Sequence, residues 1–326
     1  MNTVLVFPGV SEEAAERIEF YRCERLVFES LGDVAVVSNR WTVPRRAFDL
    51  AVSWWWARSL PFAARLYRRV PWVITGATDI GNPVRLSRGR LAGKIIVERA
   101  AASLATANWA ISSAEGARLR SFGFPRLSVV PLAVDTDYYT PPATSAHRDP
   151  TLLVTVLQLN DRSVRRKGLL VVLRGLALAR DTGMRLVVVG EDQGAQPWLR
   201  DCVRAHGIAS LVDFAGPVDR QVKRRLFHEA AAYVQLSEYE GFGHAVVEAM
   251  SAGCPVIVSR NGSLPEVTAG IAAGYADTPE EFAGVLQQMR PTSNAKQLDA
   301  GRQRALTEYS IRVRADRVAG VINDLT

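Results

Sequence analysis

Short runs of apolar, β-favouring residues recur along this chain, and longer stretches of helical periodicity separate most of them. The first six are TVLVFP, DVAVVS, DLAVS, WVITG, NWAIS and LSVVP. Each is apolar nearly throughout, which suits strands of a parallel sheet covered on both faces. The rhythm breaks at DTDYYTPPATSAHRDP, whose prolines and small polar residues signal a linker. It restarts with TLLVTVL, RLVVVG, VDFAG, AYVQLS and PVIVS. The pattern predicts an α/β chain of two doubly wound parallel-sheet domains, residues 1–145 and 146–326. The stretch LDAGRQRALTEYSIRVRADRVAGVIND reads as one long amphipathic helix or a pair, expected to pack back on the first domain. The opening MNTVLVFPGVSEE has no basic region before its apolar run, so it reads as a buried first strand and not a secretory leader.

Ligands of open parallel sheets bind at the C-terminal ends of the strands, and two such domains facing each other would form one cleft. The segment SEYEGFGHAVVEAMSAGCPVI, from Ser237 to Ile257, has the features of such an end. A strand closes near Ser237, a loop follows, and a helix is expected from about His244 to Ala252, with Gly253 and Pro255 as its stop. Gly241 and Gly243 allow close approach of a ligand to the backbone. The N–H groups at the helix start offer a seat for phosphates. Glu240 stands just before that seat and Glu248 about one turn inside it. A ligand with hydroxyls at both ends and phosphates between them, as in a sugar nucleotide, matches this order. One acid near a helix start also arises from the dipole alone; the whole set is what points to a ligand.

The segment SEYEGFGHAVVEAMSAGCPVIVS resembles the donor-site signature of retaining GT-B glycosyltransferases of the glycosyl transferases group 1 type, family 4-like. ANWAISSAEGARLRSFGFPRLSVVPLAVDTDYYTP and VDFAGPVDRQVKRRLFHEAAAYVQLS resemble further parts of that group. The resemblance implies a GT-B fold, with two Rossmann-like domains facing a central cleft. It implies that Glu240 holds the transferred sugar's hydroxyls and Glu248 the ribose. Gly241, Phe242 and Gly243 would shape the sugar pocket, and the amides of His244, Ala245, Val246 and Val247 would face the diphosphate. The family also sets cations against the diphosphate, where charge builds up as the nucleotide departs. In VTVLQLNDRSVRRKGLLVVL, Lys167-Gly168 matches the family's Lys-Gly, and the expected Gly-Arg is absent. Arg162, Arg165 and Arg166 are the candidates for the missing charge, with Arg162 favoured. The implied catalytic set is Glu240, Lys167 and Arg162. No Asp-x-Asp pair is placed to hold a divalent ion, so metal-independent catalysis is expected, with a UDP- or GDP-sugar as co-substrate and no other cofactor.

In the first domain, Gly9 follows the first strand, and VPWVITGATDIGN resembles a family segment. Gly76 stands where the family commonly has a histidine, and Asp79 matches its later acid. The acceptor side is accordingly assigned to Gly9, Gly76 and Asp79.

Composition narrows the partners. The chain has 326 residues, 48% of them hydrophobic, and a net charge of +7, a balance that favours anionic partners. No nucleic-acid motif is present. No apolar run approaches the ~20 residues of a membrane span. Cys23, Cys202 and Cys254 are far apart, which suggests neither a disulfide frame nor a zinc site. A cytoplasmic protein is expected, peripheral to the membrane's inner face. Residues 1–140 hold 18 Lys and Arg against 13 Asp and Glu, +5 of the total. In SWWWARSLPFAARLYRRVPW, Trp54 to Trp56 with Arg58, Arg65, Arg68 and Arg69 admit two readings. They are an aromatic and basic acceptor or lipid platform, or tryptophans wedged between helix and sheet with arginines outside. The expected activity is sugar transfer to a hydroxyl of a glycan or lipid-linked acceptor. The rivals are a phosphorylase or epimerase on the same fold, and a non-catalytic nucleotide-sugar-binding subunit.

Overall fold

A computed structural model of the chain describes residues 1–44, 48–77, 88–142, 148–289 and 295–323. The eleven apolar runs all form strands. In the first sheet these are β1 (Thr3–Val6), β2 (Val34–Val37), β3 (Leu50–Trp54), β4 (Trp72–Gly76), β5 (Ala107–Ala110) and β6 (Leu127–Val129). The second sheet holds β7 (Asp149–Val156), β8 (Arg185–Val189), β9 (Val212–Gly216), β10 (Ala230–Gln235) and β11 (Val256–Val258). A twelfth strand, β12 (Gly274–Tyr275), has two residues and so leaves no apolar run to read.

The sheets order as β2-β1-β3-β4-β5-β6 and β12-β11-β10-β7-β8-β9, and every pairing is parallel. The chain runs outward from β7 to β9, then returns to place β10 on β7's other side. The strand order therefore reverses between β7 and β10, and the loops leaving those two strands part there. That is where a doubly wound sheet receives its ligand. In the first sheet the reversal falls between β1 and β3.

By its contacts the chain divides into Met1–Asp135 with Thr307–Thr326, and Thr136–Leu306. Each unit has its own core. Val4, Val6, Ala51, Phe62, Leu66, Ile74 and Leu119 are buried in the first. Leu153, Val172, Leu173, Leu186, Val234 and Phe282 are buried in the second.

The tryptophan run is resolved by burial. Trp54 and Trp56 are each 1% exposed. The Trp56 indole N–H donates to Asn108 Oδ1 at 2.8 Å, and its ring meets Phe124 edge to face. Trp54 packs on Phe20 and Tyr21. Arg58, Arg68 and Arg69 remain exposed. Wedged tryptophans with arginines outside therefore describe Trp54 and Trp56. Only Trp55 is half-buried, with its indole N–H on the Tyr21 hydroxyl at 2.8 Å.

The C-terminal stretch is a pair of helices, Ala295–Tyr309 and Ile311–Asn323. Ser310 breaks them because it bridges Val134 of the first unit, whose N–H donates to Tyr309's carbonyl at 2.7 Å. The second helix is anchored by Arg314, which is wholly buried. Its Nε and Nη2 bond both oxygens of Glu24 at 2.7 Å, and its Nη1 bonds the carbonyls of Val130 and Pro131. Removing one partner of so buried a pair strands the other charge. Arg314→Ala should therefore cost about 3–5 kcal/mol, whereas Glu24→Leu with Arg314→Leu should cost clearly less. Urea titration of the three proteins checks this; a single variant as stable as wild type would show the pair to be dispensable.

Candidate functional site

The loops leaving β7 and β10 are fitted to each other. After β7, Asn160 caps the helix Asp161–Arg166 through Oδ1 to the Ser163 N–H at 2.8 Å. Lys167 and Gly168 follow it. Gly168 has a left-handed backbone, and a Cβ there would stand 1.8 Å from Leu236's carbonyl oxygen, so only glycine fits. Arg166's carbonyl accepts the Glu238 N–H at 2.9 Å. From the other side, a Cβ at Gly262 would lie 2.3 Å from Glu240's carbonyl oxygen, and Ser263 N and Oγ both donate to that oxygen. Glu240 is thus fixed through its backbone before its side chain is considered.

Its carboxylate is held as firmly. Oε2 accepts from Lys167 Nζ at 2.7 Å and from Gln235 Nε2 at 2.8 Å, with Arg166 Nη1 at 3.5 Å. The Phe242 N–H also bonds it. Gln235's amide is oriented by the Tyr233 hydroxyl, which donates to its Oε1 at 2.8 Å. Burial pushes the Glu240 carboxyl up, but Lys167 and then Arg166 outweigh it and bring it down to about 2. Burial pulls the Lys167 ammonium below its ordinary value, against the attraction of Glu240 and with Arg166 adding to the fall. With its carboxyl so far below neutrality, Glu240 is ionised at pH 7.

Gly243 turns the chain with φ 90° into the helix His244–Ser251. A Cβ on Gly243 would meet Leu264 at 2.9 Å. The N–H groups of Val246 and Val247 donate to Gly243's carbonyl at 2.9 and 3.2 Å. The amides of Val246 and Val247, expected with those of His244 and Ala245 to face a diphosphate, are thus used to close the helix's own first turn. Val246 and Val247 side chains are core, as is Phe242. Gly241 is buried, and Ala245 is half-buried on the first turn. Glu248 is 1% exposed, with Lys223 Nζ 2.9 Å from both oxygens and His244 Nδ1 at 3.3 Å. Burial raises its carboxyl; Lys223 and then His244 overcome this and bring it to about 2.

Arg162 is exposed at the start of its helix, and Arg166 is the arginine beside Glu240. The two stand four positions apart, about 6 Å along the axis, and the anchored end is the one at Lys167. In the first unit, Gly9 is an exposed, left-handed turn residue after β1. Gly76 closes β4 with a positive φ of 129°, and a Cβ there would lie 3.3 Å from Trp55's backbone nitrogen and 3.4 Å from the indoles of Trp54 and Trp55. Asp79 lies outside the described residues. Gln235 and Lys223 escaped the sequence reading. Lys223 had one signal: it lies four residues before buried Phe227, on the inward face of the helix Arg220–Glu229. Among the described residues, no three of His, Cys, Asp and Glu converge as a metal cluster would require.

Residues 150–285 match the family model described as Glycosyl transferases group 1. Glycogen synthase of Mycobacterium tuberculosis is 31% identical over 144 residues, 43% of this chain and 34% of that one. The MMP alpha-(1->4)-mannosyltransferase of Mycolicibacterium hassiacum is 30% identical over 195 residues, 57% of this chain and 45% of that one. The chain thus spans less than half the length of these curated relatives. The structure of Anabaena HepE in complex with UDP and glucose superposes with a TM-score of 0.77 at 16% identity, covering 99% of this chain and all of that one. The fold is GT-B: two Rossmann-like units, each a six-stranded parallel sheet.

The two lowered carboxyls link stability to pH. Their folded values near 2 lie below the ordinary 4.5, so their contribution is full above about 4.5 and is lost as pH falls through 2. Glu240→Gln should therefore be less stable than wild type at pH 7, with the gap closing between those limits. Thermal midpoints measured against pH check this; a gap independent of pH would contradict the ionic contact.

Proposed function

We propose that this chain, with its group 1 glycosyltransferase domain at residues 150–285, is a retaining, metal-independent glycosyltransferase. It moves a sugar, a hexose by type, from a UDP- or GDP-sugar to a hydroxyl of a glycan or lipid-linked acceptor. The observation that carries this reading is the cluster of Glu240, Lys167 and Arg166 at the β7–β10 switch point, beside a helix N-terminus.

The donor's diphosphate lies at the helix start and draws Lys167 and Arg166 from Glu240 to its own oxygens. Glu240 then turns its lone pairs to the sugar hydroxyls, with Gln235 still donating to Oε2. The acceptor oxygen bonds to the anomeric carbon while the bond from that carbon to phosphate oxygen breaks. The departing phosphate takes the acceptor's proton on the same face, so configuration is retained and no enzyme base is needed. The cations stabilise the charge that builds on the diphosphate, and the site otherwise contributes positioning. Ribose reaches Glu248 by displacing Lys223, the more exposed of that pair at 15% against 1%.

Calorimetry with UDP and GDP in EDTA tests the metal-free claim: one of them should bind, and binding that requires added Mg or Mn ions would sink it. The two glutamates should separate kinetically. Glu240→Gln should lower turnover on the order of 10²-fold or more with free-nucleotide affinity nearly intact, because its contact tightens in the transition state. Glu248→Ala should weaken the free nucleotide by roughly 1–3 kcal/mol and affect turnover at saturating donor less. Equal loss of nucleotide affinity in both variants would reverse the proposed donor orientation.

A further inference from the structure

Residues 39–105 hold 12 Lys and Arg against three Asp and Glu, a net +9 in a chain whose total is +7. The remainder of the sequence is therefore slightly acidic, and the whole basic excess lies in one stretch. That stretch supplies the connections from β2 to β3, β3 to β4 and β4 to β5. In the sheet order all three step the same way across the sheet, and right-handed crossovers place the described parts of these connections, which carry nine of the 12 cations, on one face. The core agrees. Val43, Trp56, Phe62, Leu66, Ala101 and Ala102 belong to one buried cluster, and Leu91 and Ile95 pack on it.

The outer side of this layer is unusually apolar. Trp41 is 67% exposed, Tyr67 44%, Ile96 68% and Val97 42%. Among the described residues these are four of the six large hydrophobics that stand so far into solvent; Met1 and Leu178 are the others. Local geometry explains Ile96 and Val97. They follow Ile95 on the helix Arg88–Leu104, and successive helical residues point about 100° apart. Once Ile95 faces the core, the next two cannot. Trp41 is flanked by cations, with the Arg40 guanidinium 4.5 Å and that of Arg65 5.8 Å from its ring. Arg58, Arg68, Arg69 and Arg99 are exposed in the same layer.

We propose that this layer of the first unit is a membrane-binding face whose partner is an anionic phospholipid surface. The cations meet the headgroup phosphates, the Trp41 and Tyr67 rings lie at headgroup level, and Ile96 and Val97 enter the acyl boundary. Nucleic acid would use the same cations but would leave the two aliphatic side chains in water. The inference is independent of sugar transfer, since it uses no residue of the second unit. It also moves the aromatic platform from the tryptophan run, whose outer members are core, to Trp41 and the helix that carries Ile96.

Co-sedimentation of the full chain with vesicles of phosphatidylcholine alone, and of phosphatidylcholine with phosphatidylglycerol, tests it. The protein should pellet with the anionic vesicles and stay in solution with the neutral ones. Raising salt from 0.1 to 1 M, which shortens the Debye length from about 10 to about 3 Å, should release most of it. Ile96→Ser with Val97→Ser changes only exposed side chains, so the thermal midpoint should hold while affinity for anionic vesicles falls on the order of tenfold. No pelleting, equal pelleting with both vesicles, or no effect of the serine substitutions would each overturn the proposal. So would preferential capture by single-stranded DNA that the serine variant retains in full.

Discussion

The ion pair between Lys167 and Glu240, 2.7 Å long and largely withdrawn from water, is the contact on which the second unit's arrangement turns. It joins the loop after β7 to the loop after β10, the two connections that part where the strand order reverses. Their backbones are already committed to each other by Gly168 against Leu236 and by Arg166 against Glu238. The side chains therefore meet without further ordering. A carboxylate with cations to one side and a helix start to the other is poised for a ligand that brings its own anions. In the proposed exchange of partners, phosphate takes the cations and sugar hydroxyls donate to the carboxylate, so that every charged group keeps a hydrogen-bonding partner at either stage.

The same principle holds at Glu248 and at Glu24, with different consequences. All three carboxylates are buried against cations. Glu24 and Arg314 are both 1% exposed and bonded on every side, which fixes a helix and offers nothing to a ligand. Lys223 and Lys167 keep some exposure beside their carboxylates, so a solute can compete for them. Burial of the cation, more than burial of the acid, separates the anchoring pair from the two pairs of the site.

Much of this was legible in the sequence because parallel strands covered on both faces are apolar along their length. The runs from TVLVFP to PVIVS each became a strand for that reason; Gly274–Tyr275, two residues long, had no run to show. The loop at Glu240 was readable because glycines and a helix start leave local marks. Partners brought by tertiary packing leave none. Gln235 reaches Glu240 from the end of its strand, and Lys223 reaches Glu248 from a separate helix. Which arginine stands beside Glu240 was not legible either, since nothing in NDRSVRRKG says which end of a short helix is pinned. Three adjacent tryptophans drew the eye to residues that pack inward, while the exposed Trp41 stood alone.

The central claim is that the cations now on Glu240 belong to the donor's diphosphate when it is bound. Calorimetric titration of UDP and GDP into wild type and Lys167→Met, at pH 7 in EDTA, tests it most directly. Loss of one charge-assisted bond to phosphate should weaken the nucleotide that binds by roughly 10- to 100-fold, and Lys167→Met combined with Glu240→Gln should not restore it. Unchanged affinity in Lys167→Met, or recovery in the double variant, would mean that Lys167 serves Glu240 alone and would contradict the account.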